Sequence, residues 1–223
     1  MQENPRFIMV FIAIIAFLYP SVARSQQILF SNLGPQDAYD SGVSYAVRGP
    51  AAYGERQWIA DRFTLADGVY RLDEAALPLI RDSGTDRMNL FLLSDAGGLP
   101  GMVLDTFTLT GIPSQSSALL SAYSTQHPLL TGGTAYWFGV TPTSDTEARW
   151  FLNSTGQLGP CAENSLGLWS AETPDPMQGA FQLSGVLVSG SATPEPGTWA
   201  LLGSSLGVGL CMLQRARRAR KRE

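Results

Sequence analysis

His127 is the chain's single histidine, and with the serines around it it is the one side chain that could act as base in a Ser-His-Asp constellation. Such a serine is normally presented on a sharp Gly-x-Ser-x-Gly elbow, which the sequence lacks, so the expectation is a loop histidine held by hydrogen bonds. Cys161 has no protease signature beside it. One histidine and one cysteine in the body are also too few for a structural zinc site, which takes four nitrogen or sulfur ligands. Asp37 with Asp40, and Asp82 with Asp86, are oxygen ligands of the kind calcium prefers. Without an EF-hand or repeat they read as solvated turns, and no metal or other cofactor is assigned. Glycoside hydrolysis needs two carboxyl groups about 5–9.5 Å apart, yet the acids here fall in turns with no catalytic motif. No catalytic residue is assigned, and the body is expected to be non-enzymatic. Binding chemistry is better supplied. Trp58, Trp137, Trp150 and Trp169, with Tyr53 and Tyr136, carry aromatic faces that stack on sugar rings when exposed, and Trp137, Trp150 and Trp169 are the candidate stacking residues. In a β-sandwich such side chains more often fill the core, where each buries about 150–250 Å².

The elements that must position these groups show alternation rather than helical periodicity. Ile59, Asp61, Phe63 and Leu65 fall on one face of a strand, with Trp58, Ala60, Arg62 and Thr64 on the other. Val103, Asp105, Phe107 and Leu109 alternate with Leu104, Thr106 and Thr108, and Tyr136, Phe138 and Val140 with Trp137 and Gly139. Apolar runs recur at Leu72–Ile80, Met88–Leu93, Arg149–Leu152 and Phe181–Val188. Turn chemistry separates them at Ala66–Gly68, Arg81–Gly84, Asp95–Gly101 and Leu130–Gly133. Many short strands with Gly and Pro between them predict an all-β fold, an antiparallel β-sandwich or jelly roll over residues 26–188, with one short helical turn at Gln115–Ala122.

Both flanks differ from this body. Phe7–Tyr19 is an apolar core of signal-peptide length, followed by Pro20 and the small residues Ser21, Ala23 and Ser25. Residues 1–25 are therefore expected to be a signal peptide cut after Ala23 or Ser25, although Glu3 leaves only Arg6 and the terminal amine as positive charges ahead of the core. At the other end a polar linker, residues 189–193, leads to Pro194-Glu195-Pro196, an apolar run to Leu213 and a basic cluster of Arg215, Arg217, Arg218, Arg220, Lys221 and Arg222. As a helix, Thr198–Leu213 would be roughly 24 Å long, short of the ~30 Å hydrocarbon core. Gly203, Gly207 and Gly209 weaken it further, at about 1 kcal/mol each against alanine. The basic cluster stays cytoplasmic under the positive-inside rule, which puts the body outside.

From residue 26 to Pro196, seven arginines and no lysine face seventeen acidic residues, Glu195 included, a formal charge of about −10. That excludes nucleic acid as a partner through a basic face and suits solubility in a secreted protein. Cys211 lies in the apolar segment and Cys161 in the body, so no intrachain disulfide is expected to hold the domain. Asn153-Ser154-Thr155 fits the glycosylation sequon but reads as an ordinary turn.

The C-terminal order, Pro194-Glu195-Pro196 and then a short apolar segment and an arginine-rich end, resembles the PEP-CTERM sorting signal of Gram-negative bacteria over residues 194–220, with the basic tail running to 223. That resemblance implies recognition by an exosortase, a membrane-embedded cysteine transpeptidase that cleaves near the motif and releases or re-attaches the body. Residues 28–188 look similar to the choice-of-anchor domains of bacterial surface proteins, closest to the type labelled R. The likeness rests on Leu92-Leu93-Ser94-Asp95 running into Gly97-Gly98-Leu99-Pro100-Gly101 and on the aromatic strands around Tyr136, Trp150 and Trp169. It implies a sandwich with a surface role and carries over no catalytic residue. The expected protein is exported, meets signal peptidase and exosortase, and resides transiently in the inner membrane through a C-terminal transmembrane helix. It then moves to the cell surface or extracellular matrix, with exopolysaccharide as the candidate ligand. The alternatives are a secreted carbohydrate-binding or carbohydrate-active sandwich and a permanently anchored periplasmic protein.

Overall fold

The computed structural model describes residues 25–189 other than 55 and 144. The expected signal peptide up to residue 24, the sorting motif, the C-terminal apolar segment with Cys211, the basic tail and the side chain of Tyr53 lie outside the described residues. Within them the chain is nearly all antiparallel strand: β1 Gln27–Ser31, β2 Tyr39–Arg48, β3 Trp58–Thr64, β4 Val69–Ser83, β5 Arg87–Asp95, β6 Pro100–Thr110, β7 Ala118–Tyr123, β8 Leu129–Thr131, β9 Ala135–Pro142, β10 Glu147–Asn153, β11 Cys161–Asn164, β12 Trp169–Ala171 and β13 Gln182–Ser189. The helical content is one turn at Pro50–Tyr53 and a 3-10 turn at Pro35–Asp37. Among the described residues no helix is long and apolar enough to cross a membrane.

Two sheets form. The seven-stranded sheet runs β1-β13-β4-β10-β2, with β7 and β8 also paired to the long β4, and the six-stranded sheet runs β12-β11-β3-β9-β5-β6. Alternation puts one apolar set from each sheet into a shared interior: Ile59, Phe63, Leu90, Leu92, Phe138 and Val140 from the six-stranded sheet meet Val47, Leu72, Leu77, Leu79, Trp150 and Leu183 from the other. At its centre Phe181 stacks on Phe138, with ring centroids 4.9 Å apart, and meets Trp150 edge-on.

Two sequence expectations are corrected. Gln115–Ala122 holds no helical turn, because Ala118–Tyr123 is strand β7, paired in register with Leu79–Glu74 of β4. An available partner strand overrides a weak local helix preference there. Val103 does not share the inward face of Asp105. A bulge between Leu92 and Leu93 slips the β5–β6 register, so that Val103 is exposed and Leu104 packs on the core instead.

Candidate functional site

The outward face of the six-stranded sheet is unusual in carrying a small apolar cluster of its own. Register aligns Trp169, Asn164 and Trp58 in one row across β12, β11 and β3. A second row holds Ala171, Ala162, Ala60, Gly139 and Phe91, and a third holds Arg62, Trp137 and Leu93. Because the middle row is mostly alanine and glycine, the large rings on either side can lean across it. Ala60, Leu93, Trp137 and Ala162 are buried there, with Phe91, Leu99 and Trp169 packed against them. Trp58 meets Phe91 edge-on at 6.3 Å, and the Arg56 guanidinium stacks on the Trp58 ring at 4.4 Å. The Trp58 Nε1 is shielded and has no hydrogen-bond partner.

The Ser94–Gly101 turn folds onto this cluster, and Asp95 organises it. Asp95 Oδ1 accepts from Arg62 Nε at 2.9 Å and Trp137 Nε1 at 2.8 Å, while Oδ2 accepts from Gly98 N at 3.1 Å. Gly98 adopts φ +90°, a conformation that strains a side-chain-bearing residue. Ser94 Oγ accepts from Met102 N at 3.0 Å. Burial works to raise the Asp95 carboxyl, but Trp137, Gly98 and Arg62 together outweigh it and hold it below the usual carboxylate range. The Ser-Asp-x-Gly-Gly-Leu-Pro-Gly run thus has a structural account: it closes the β5–β6 hairpin and brings Leu99 onto the tryptophan cluster.

The three candidate stacking residues separate. Trp150 is fully buried between the sheets and donates to Ala180 O at 2.8 Å, so it offers no face to a ligand. Trp137 points outward but is fully buried beneath its neighbours. These two are corrected as stacking residues, since each ring is spent on protein contacts. Trp169 is half-buried, and Trp58 and Phe91 beside it share that partial exposure, so on this face the accessible aromatic surface is Trp58, Phe91 and Trp169. The turn before β12 adds Leu166 and Leu168, exposed by 81% and 82%, so this corner carries exposed apolar side chains beside the aromatic ones.

Elsewhere the candidate chemistry is committed to structure. Ser124 donates its hydroxyl to Asp105 and accepts from His127 N at 2.7 Å, while the His127 ring pairs through Nδ1 with Asp73 at 2.9 Å. Asp73 also accepts from Arg71. Asp105 Oδ1 takes the Thr106 N–H. Serine and imidazole therefore face different carboxylates, and the arrangement is a clasp joining β6 to β4. An open cleft of about 460 Å³ runs beside it, lined by Val103–Thr106, Thr125 and Gln126. Asp82 is paired bidentately with Arg149, and Asp40 accepts from Gly42 N. Among the described residues no group of three or more His, Cys, Asp or Glu gathers for a metal. Asn153 is buried and donates to Gln157 O and Gln178 O, so the sequon asparagine is a structural residue.

One group went unrecognised at the level of sequence. Asp61 is fully buried between the sheets, facing Cys161, its register partner on β11. The signal was present, because alternation already sets Asp61 on the same face as Ile59, Phe63 and Leu65. Compared with protein-family models, the chain matches none, and no curated protein matches it.

Proposed function

We propose that this is an exported surface or extracellular-matrix protein whose two-sheet body is a structural or adhesive module, delivered and processed through its C-terminal segment. The observation that carries this reading is the order Pro194-Glu195-Pro196, short glycine-weakened apolar run, dense basic cluster. A segment too short for a durable span would hold the motif just outside the bilayer, and proline on either side of Glu195 favours extended backbone, the form an active site grips. Signal peptidase acts at the front, an exosortase at the motif, and the inner membrane is a temporary station. The engagement of Ser124 by Asp105 and of His127 by Asp73 supports a structural clasp over a nucleophile and base.

The test replaces Pro194, Glu195 and Pro196 with alanine in the native host and follows the protein by fractionation and intact mass. The variant should remain folded, unprocessed and in the inner membrane. Arrival at the surface with the basic tail removed would overturn the reading and favour a bitopic protein cut nonspecifically.

A second reading, carbohydrate binding by the body, is favoured by the half-exposed Trp58, Phe91 and Trp169 on one sheet face. Affinity electrophoresis through gels containing the host's exopolysaccharide checks it. Retardation should be lost in Trp58→Ala and Trp169→Ala; equal mobility with and without polysaccharide for the unmodified protein would sink it.

A further inference from the structure

The chain between β12 and β13 crosses from one sheet to the other, and its last part is tied down at many points. Gln178 Nε2 donates to Arg62 O and Asn32 Nδ2 to Gly179 O, both at 2.8 Å; Ala180 N donates to Phe151 O, also at 2.8 Å. Gly179 lies so close to Trp150 that a Cβ there would overlap the indole. From inside the sandwich two side chains tie it: Trp150 Nε1 donates to Ala180 O at 2.8 Å, and Gly179 N donates to Asp61 Oδ2 at 2.6 Å.

The surroundings of that carboxyl are what matter. Asp61 Oδ1 is buried without a hydrogen-bond partner. Cys161 from β11 faces the carboxyl, and Tyr45 from β2 faces the thiol while donating its own hydroxyl to Met177 O at 2.7 Å. Glu172, just past β12, is the other charged group that acts on it. Phe138 of β9 is its register neighbour, and the nearest arginine along β3, Arg62, projects to the other face to pair with Asp95. An ionised Asp61 would therefore sit in an apolar interior with one N–H donor, no cation among the described residues and a second carboxyl nearby, which strongly favours the protonated form.

We infer that Asp61 is a proton-linked catch: the Glu172–Phe181 crossing seals a neutral carboxyl from water, so opening it hydrates Asp61 and lets it release its proton, and opening becomes easier as pH rises above the ordinary carboxylate range. Burial pushes the Asp61 carboxyl up to about 8, with Glu172 adding to the rise and the Gly179 N–H and Cys161 thiol opposing it. The thiol and the Tyr45 phenol are pushed up as well, by burial first and by Asp61 second, so they stay neutral while Asp61 ionises. The folded chain then holds one more proton than the unfolded chain between the ordinary carboxylate range and about pH 8. Stability from this group is complete below that window, declines across it and levels off above it.

The experiment uses the full-length chain in a mild non-ionic detergent, with amide hydrogen exchange, corrected for intrinsic rates, between about pH 6 and pH 9. Protection at Gly179 and Ala180 should fall by roughly tenfold or more across that range, a factor of ten being one unit of proton linkage. In Asp61→Asn, which keeps an acceptor for Gly179 N, protection should stay level. The same decline in both proteins overturns the catch, as does level protection in the unmodified one. If Asp61→Asn does not fold, infrared difference spectroscopy of the unmodified protein decides. A buried protonated-carboxyl band present near pH 6 and gone by pH 9 supports the inference, and its absence near pH 6 overturns it.

Discussion

Asp61 and Asp95 lie on opposite faces of the six-stranded sheet, each beside buried aromatic rings, and the two acids behave oppositely. On the inner face Asp61 has, among the described residues, one N–H donor and no cation, and its carboxyl is raised. On the outer face Asp95 has an indole N–H, a backbone N–H and a guanidinium, and its carboxyl is lowered. Both sit on strands of one sheet, beside buried rings. What separates them is the supply of donors, which the outer face gains from an arginine and a folded-over turn. The inner face is built to exclude water and favours the neutral form of Asp61. The outer face stays near solvent, holds a charge, and leaves Trp58, Phe91 and Trp169 partly exposed.

This contrast can be broken most forcefully on the inner face. Trp150→Ala removes the ring that packs on Phe181, Phe138 and Gly179, and should cost about 3–5 kcal/mol in urea unfolding; a loss below about 1 kcal/mol would show that the centre of the sandwich lies elsewhere. Asp95→Ala should cost less, about 1–3 kcal/mol, because it strands the Trp137 indole N–H and the Gly98 N–H. Its pH signature runs opposite to that of Asp61. A lowered carboxyl contributes stability that is complete above the ordinary carboxylate range and is lost as pH falls through its folded-state value. Unmodified protein should therefore lose more stability on acidification than Asp95→Ala does, and parallel acid profiles would contradict the assigned donors. Smallest of all are the rim substitutions. Arg56→Ala removes one guanidinium–indole stack and should change the unfolding free energy by about 0.5–1 kcal/mol. A larger loss would mean that Arg56 belongs to the outer cluster's foundation rather than to its edge.

Much of the fold was written in local pattern. Period-two alternation at Ile59–Leu65 and Tyr136–Val140 located β3 and β9 and assigned their faces correctly, since a strand turns successive side chains to opposite sides whatever it pairs with. It set Asp61 inward, a placement whose chemical meaning became plain only with burial. The Asp95–Gly101 turn was legible as a turn because glycine marks backbone that other residues adopt with strain. The tertiary structure alone decided the rest. Val103 left the core face because one extra residue slipped the register between β5 and β6. Ala118–Tyr123 became a strand because β4 offered it an edge. Trp137 was spent on packing although it points away from the sandwich, because Leu99, Phe91 and Trp169 gather on it from other strands and from a turn. Alternation tells which side of a strand a residue occupies, and it is set by the backbone of that residue and its neighbours. Whether that side is covered depends on segments tens of residues away, brought there by pairing and loop closure, and no local pattern encodes their arrival.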